Sequence, residues 1–483
     1  MTTNRYSQRR TQFLEELGDT IAVVSAGAEQ TRNDDVDHAF RQDSDFFFLT
    51  GFSEPDAVAV FDPSDVGQPY TLFVLPRDAE KESWEGKRAG VAGAVDRYGA
   101  DAAYPVDEFD KWLRTRLVGR QAVAVAPKDG KRSAVDRSIA AAYGLDRRLG
   151  TGAPDRIHDP RSILHEMRLV KSDAEIDALR EACRISALGH EEAMRFASPG
   201  RNERDIQAAI EYVFSALGSE RVGYGSIVAC GANAVILHYV TNDQELKDGD
   251  LLLLDAGAEY QHLTADITRT FPVNGVFSAP QRAVYELVLD AERQVIEMCR
   301  PGLHYTDMHD KAVDVIAAGL VDLGLLPGTP DEAVAKGWYR EFFFHGTGHW
   351  LGIDVHDAGS YGHEGTSRNL VAGMALTVEP GVYVAPEKTH VSLSNAAYDS
   401  EEVLRLNFEH GALEAKAMLA ARTEEAGSSE FAVPEEFLGI GVRIEDDILI
   451  TAGGFENMSA GAPTTIDDIE TACAQGSSLP ALQ

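Results

Sequence analysis

The chain has 483 residues, and at about 100–200 residues per domain two or three domains are expected. With 44% hydrophobic and 25% charged residues, wholesale disorder is excluded. A formal net charge of −34 disfavours nucleic acid and anionic membrane and favours metal cations or basic partners. The acids are spread along the chain and read as a solvated surface of the kind suited to high salt.

The first residues, "MTTNRYSQRRTQFLEELGD", contain no apolar run of the kind that directs secretion, and no later segment has the length needed to cross a bilayer. Cys183, Cys230, Cys299 and Cys473 lie far apart and form no CxxC pair. They read as buried thiols in a reducing compartment, which places the protein in the cytoplasm. The runs "TIAVVSAG", "DAVAVFDP", "YTLFVLP" and "QAVAVAP" are short, β-branched and bounded by Gly, Pro or Asp, as buried strands are. Alternating with helices, they define an α/β N-terminal domain over residues 1–160. From about residue 160 a long helical period takes over, with "KSDAE" as a start signal and "SPG" as a stop.

Residues 161–465 combine amphipathic helices, such as "NERDIQAAIEYVFSALG" and "APQRAVYELVLDAERQVIEMCRPG", with strands, and read as an α+β domain. Between about 388 and 433 the sequence loses strand character; one or two helices and a polar linker are expected there, inserted between two strands. Residues 466–483 read as a loose tail.

Carboxylates in apolar settings are the strongest chemical signal. In "GDLLLLDAGAEYQHLTADITRTFPV", Asp255 ends a run of four leucines and Asp266 is expected in a second strand, paired so that both acids share a face. Arg269 offers a structural partner for Asp266. "GMALTVEPGVYV" sets Glu379 at the end of a strand, and "GIGVRIEDDILIT" sets Glu445 within one. Burying any one of them is costly without a partner, and singly each could be a structural ion-paired acid. Four together, with a histidine from "FFFHGTGHWLGIDVHDAG", make an oxygen-rich site suited to a pair of hard or borderline divalent ions.

These motifs, with "FRQDSDFFFLTGFSEPDAV", "LHEMRLVKS" and "ILHYVTN", resemble the dinuclear metallopeptidases of the creatinase/aminopeptidase-like "pita-bread" fold, and within them the bacterial aminopeptidase P branch. The resemblance spans nearly the whole chain. It implies a catalytic domain of that fold, two divalent metal ions (manganese first, cobalt or zinc as alternatives), and the ligands Asp255, Asp266, His349, Glu379 and Glu445. It further implies that an ion-bridging hydroxide attacks the peptide carbonyl, that Glu379 is the general base, and that His238 and His356 stabilise the transition state.

In the same way His345, Tyr383, Tyr361, Arg161 and Arg368 match pocket-lining positions, and Arg443 a partner that orients Asp255. Asp35 and Trp84 match positions through which a neighbouring subunit closes the site, which implies a homodimer or homotetramer. His262, His363 and His390 match nothing and read as structural, and Trp350 reads as a packing anchor. The implied reaction is release of the N-terminal residue from peptides with proline second. The rivals are a dipeptide-specific prolidase and an inactive binding protein of the same fold.

Overall fold

The structure is a computed structural model that describes residues 3–363, 366–477 and 479. It divides into two compact units between Arg168 and Leu169 rather than near residue 160.

The first unit is built on a six-stranded mixed sheet. Its spatial order is Ala102–Pro105, Tyr70–Val74, Val58–Phe61, Ile21–Ser25, Ala122–Ala124 and Arg156–His158. The expected apolar runs supply its central strands. Because both faces are covered, they are buried along their length; Val58–Phe61 and Tyr70–Val74 have no exposed position. Helices Phe109–Arg116 and Arg132–Leu149 bury Phe109, Leu113, Val135 and Ile139 against Val58, Val60, Phe73 and Val123.

The first long helix of the second unit begins where its start signal places it. Ser172 and Glu175 form a capping box for the helix Asp173–Phe196, which stops just before the Ser-Pro-Gly signal. Strand Leu251–Asp255 lies between Ile227–Cys230 and Thr268–Pro272, antiparallel to both. Ala375–Val378 pairs with Asp446–Thr451, and Gly381–Val384 with Ile440–Arg443. A bridge between Thr268 and Glu445 ties the first of these groups to the last. Helices Asp173–Phe196, Glu203–Ala216, Ala279–Met298 and Tyr305–Asp322 cover the strands and bury a single large apolar core against them. No helix among the described residues is long and apolar enough to cross a membrane.

Three expectations need correction. The segment from 388 to 433 does contain strands: His390–Ser394 pairs antiparallel with Ser428–Ala432, and helices Ser400–His410 and Ala412–Ala426 cap the pair. Val391 and Leu393 alternate inward, so a two-residue period hides in a mostly polar run. The tail is not loose through residue 474. Thr465 caps a helix, Ile466–Ala474, whose Ile466, Ile469 and Ala472 join the core; residues 478 and 480–483 lie outside the described residues. Asp266 and Glu445 sit in breaks rather than inside strands: Asp266 between Leu263–Thr264 and Thr268–Pro272, and Glu445 between Ile440–Arg443 and Asp446–Thr451.

Candidate metal centre

Each acid reaches the site because a strand ends or breaks there. The final residue of Leu251–Asp255 presents Asp255, and the non-strand stretch after Thr264 turns Asp266 toward it. Gly257 permits this approach, since a Cβ there would lie 1.7 Å from the Ala265 carbonyl oxygen. Glu379 follows Ala375–Val378 immediately, and Glu445 precedes Asp446–Thr451. His349 is held by its backbone: its N–H donates to Thr377 Oγ1 at 3.1 Å, and its carbonyl accepts from the Thr377 N–H at 2.9 Å. Gly348 before it has no room for a side chain, a Cβ lying 2.0 Å from the Thr377 carbonyl oxygen.

The five side chains line one cavity of about 300 Å³, whose wall also carries His238, His345, His356 and Arg443. Asp266, His349 and Glu445 each offer a ligand atom, and these lie within 4.8 Å of one another. His349 Nδ1–H donates to the Trp350 carbonyl at 3.0 Å, which leaves Nε2 facing Asp266 Oδ2 at 3.4 Å and Glu379 Oε1 at 3.5 Å. A second contact that fixes which ring nitrogen is offered is the usual arrangement behind a metal-binding imidazole.

Electrostatics point the same way. Four carboxylates share the cavity with one guanidinium and one ligand imidazole. Burial raises Asp255 to about 6 against the pull of Arg443, and raises Glu379 to about 7 against His349 and Arg443. Burial, reinforced by Asp266 and Glu379, lifts Glu445 well above the carboxylate range. Burial opposes a charge on His349, yet its contact with Asp266 and the nearby Glu379 raise it to about 9. Such excess negative charge out of water fits a bound cation, and a donor set of carboxylate oxygens plus one imidazole fits hard or borderline divalent ions.

Arg443 is buried and pairs with Asp255 through one terminal nitrogen; its Nε donates to Thr268 Oγ1 at 3.1 Å, and its other terminal nitrogen to Tyr383 Oη at 3.4 Å. Thr268 passes the interaction on, donating to Glu445 Oε2 at 2.7 Å. Arg269 does not pair with Asp266 as expected. It points to the other side of its strand, where it meets Asp446 at 2.6 Å and donates to the Glu445 carbonyl at 2.7 Å.

His345 is held neutral, pushed down to about 3 by burial and by Arg443. Its Nδ1–H therefore donates to the Gly346 carbonyl at 2.7 Å, and its Nε2 accepts from Tyr383 Oη at 2.9 Å. His356 is exposed with its ring 4.1 Å from that of His349, and desolvation followed by the His349 charge lowers it. His238 is exposed on the segment after Gly231–Val235.

The remaining expected residues stand outside the cavity wall. Tyr383 is buried behind His345 and Arg443. Tyr361 stacks on Trp350 at 5.3 Å and 11°, and its hydroxyl accepts from the Trp350 backbone N–H at 3.3 Å. Arg368 Nε donates to the Ser360 carbonyl at 2.7 Å. Arg161 belongs to the first unit, where it pairs with Asp159 at 2.6 Å. Asp35 is exposed in the turn joining Thr31–Asn33 to Val36–Asp37, and Trp84 is 86% exposed on helix Ala79–Glu85. Trp350 is fully buried, as a packing anchor should be. His262 lies 3.6 Å from Glu259, His390 is on an exposed strand position, and the side chain of His363 is outside those described.

Sequence reasoning missed Tyr224. Its hydroxyl lies 2.5 Å from Asp255 Oδ1 and 2.5 Å from Asp266 Oδ1. A tyrosine in "VGYGS" carries no periodic or motif signal that would mark it.

A chain with this centre in a strand-and-helix unit is a metal-dependent hydrolase in design, and comparison with known proteins gives the class. The family model for metallopeptidase family M24 matches residues 177–452, and that for the aminopeptidase P N-terminal domain matches residues 6–125. The chain belongs to metallopeptidase family M24.

Within that family it belongs to the aminopeptidase P group. It is 38% identical over 468 residues to the Xaa-Pro aminopeptidase of Haemophilus influenzae, covering 96% of each chain. The solved structure of an aminopeptidase from Pseudomonas aeruginosa superposes with a TM-score of 0.86 at 40% identity over 98% of each chain. That of Escherichia coli aminopeptidase P with the inhibitor Pro-Leu gives 0.84 at 37% identity, again over 98% of each.

Proposed function

We infer that the chain is a metallo-aminopeptidase that releases the N-terminal residue from peptides with proline in second position. The observation that carries the reading is the convergence of Asp255, Asp266, His349, Glu379 and Glu445 on one cavity, in a chain similar to Xaa-Pro aminopeptidases from end to end. All five donors being in place favours an active enzyme over a binding protein of the same fold. Two divalent ions fit this donor set, manganese being the first choice, and when bound they supply Lewis-acid polarisation of the scissile carbonyl and a water of near-neutral pKa.

The chain's own residues supply binding and proton movement. Glu379, on the cavity wall beside His349, takes the proton from the attacking water and delivers it to the departing prolyl nitrogen. His238 and His356 face the same space and donate to the carbonyl oxygen as negative charge develops there. Arg443 holds Asp255 in orientation, and His345, kept neutral by burial and Arg443 and oriented by Tyr383 Oη, shapes the wall. The acidic surroundings attract a free N-terminal ammonium.

Proline is selected by what it lacks. A tertiary amide has no N–H, so a site that does not grip that proton accepts it where ordinary peptidases fail. Tyr361, stacked on Trp350, and Arg368 stand outside the cavity wall, and Asp35 and Trp84 complete the site of a neighbouring copy in a homodimer or homotetramer, for which the exposure of Trp84 is the support. Four free cysteines, three of them buried, fit a reducing, cytoplasmic setting.

The test is product analysis on Xaa-Pro-Xaa tripeptides, Xaa-Pro dipeptides and Xaa-Ala-Xaa controls. Release of a free amino acid and Pro-Xaa from the first is expected, with little action on the control. Cleavage of the dipeptide alone would instead establish a prolidase.

A further inference from the structure

The cavity wall includes a segment with almost no secondary structure of its own. After strand Ile227–Cys230, residues 233–244, which begin inside the 3-10 turn Gly231–Val235, form an arch that brings Leu237 and His238 to the cavity. His238 is exposed, so packing does not fix it. Something else has to hold the arch if that imidazole is to meet a carbonyl oxygen repeatedly in one place.

Both feet of the arch stand on one buried carboxylate. Glu203, the first residue of helix Glu203–Ala216, is completely buried. Its Oε1 accepts from the Cys230 N–H at 2.8 Å and from Asn233 Nδ2 at 2.9 Å, on the ascending side. Its Oε2 accepts from Tyr239 Oη at 2.9 Å and from the Gln244 N–H at 2.9 Å, on the descending side. One turn further along the same helix face, Gln207 Oε1 accepts from Asn242 Nδ2 at 3.0 Å. Asn242 is buried in a left-handed backbone conformation, φ 49°; its Oδ1 accepts from the Val228 N–H at 3.0 Å, and its Nδ2 also donates to the Ser226 carbonyl at 2.8 Å. The adjoining residue on one side of His238, Tyr239, is thus bonded to the clamp directly.

We propose that Glu203 is a positioning residue for catalysis: by accepting from both sides of the 233–244 arch it fixes His238 over the metal centre, with Asn242 as the second pin. A carboxylate is the group this geometry requires. It has two oxygens, each able to accept two donors, and here all four donors are present. An amide has one oxygen, so its NH2 would face donors on one side of the arch and release that foot while keeping the volume. The inference rests on the role given above to His238.

The experiment is a double-mutant cycle between Glu203→Gln and His238→Ala in the metal-loaded full chain, reading kcat and KM on an Xaa-Pro-Xaa peptide, metal content and Tm. Displacement of a catalytic group by about an ångström costs on the order of 100-fold. E203Q is therefore expected to lower kcat by about 10- to 100-fold with KM within about threefold and metal content unchanged, and to have little further effect once His238 is alanine, because residues acting through one another are not additive. Tyr239→Phe, which removes one of the four donors, should lower kcat less and vanish in the same background, and it decides the matter if E203Q does not fold.

If H238A is impaired while E203Q and Y239F are not, or if their losses multiply with that of H238A, the positioning role is wrong and the role of His238 stands. If H238A itself retains full kcat, the role of His238 and this proposal fall together.

Discussion

Tyr224 places its phenol oxygen 2.5 Å from an oxygen of Asp255 and 2.5 Å from an oxygen of Asp266. One O–H proton cannot serve both carboxylates fully, and Arg443 on Asp255 and His349 facing Asp266 supply the neighbouring positive charge. Burial and the surrounding carboxylates push the tyrosine hydroxyl well above its ordinary range, so it remains a donor. Tyr224→Phe should weaken metal binding by about 10- to 100-fold, the usual effect of losing a contact that orients a ligand. Metal titration followed by calorimetry would show it, and unchanged affinity would remove Tyr224 from the site.

Arg443 connects Asp255, Thr268 and Tyr383 through three separate nitrogens. A lysine keeps the charge but has neither the planar fork nor the reach to all three. Arg443→Lys is expected to lower kcat by about 10- to 100-fold, with a lower Tm in the metal-stripped protein. Activity within twofold of wild type would mean that charge alone suffices.

His190 gives a pH dependence from a group outside the cavity wall. It is fully buried, and burial followed by the Arg269 charge pushes it down to about 3 from an ordinary 6.5. Above pH 6.5 the ring is neutral in folded and unfolded chains alike and contributes nothing to the slope. As pH falls from 6.5 toward 3, the unfolded chain gains a proton that the folded chain refuses, so stability is lost across that window. In urea unfolding of the metal-free protein, His190→Gln, which can still donate to the Ala256 carbonyl that His190 Nε2 reaches at 3.1 Å, should show a flatter decline between pH 6.5 and 4. An identical slope would mean that His190 does not titrate this way.

The helical pair on the strands His390–Ser394 and Ser428–Ala432 leaves Leu404, Phe408 and Leu413 strongly exposed. Few of its residues are buried, Leu406 and Ala415 among them. Replacement of residues 400–426 by a short Gly/Ser linker, which leaves the strand pair intact, should keep kcat/KM on tripeptides within about threefold, since loop shortening is tolerated where little is buried. A large loss would assign these helices to substrate binding or assembly.

What could be read from the residues follows a physical line. Asp255, Glu379 and Glu445 were conspicuous because a carboxylate beside "LLLL", "ALTV" or "GVRI" demands compensation, and the Ser172 and Glu175 capping box announced the long helix. Tyr224, Thr268 and Glu203 gave no such sign: their importance comes from which oxygen they meet across the fold, and no local pattern encodes that. Short elements were obscured for a different reason. Val391 and Leu393 are too few to establish a strand period, and Ile466, Ile469 and Ala472 are one turn apart in a run whose other residues are mostly polar. Arg269 is near Asp266 in sequence but pairs with Asp446 instead, because successive strand residues face opposite sides.

We propose that Asp255, Asp266, His349, Glu379 and Glu445 together form a two-ion catalytic centre for cleavage before proline. It is tested most directly by stripping the protein with a chelator and titrating Mn²⁺ back while measuring bound metal and the release of free amino acid from an Xaa-Pro-Xaa peptide. Activity should be lost on stripping, return with metal, reach its maximum at two ions per chain, and not return in Glu445→Ala. Hydrolysis that survives stripping, or that no divalent ion restores, would contradict it.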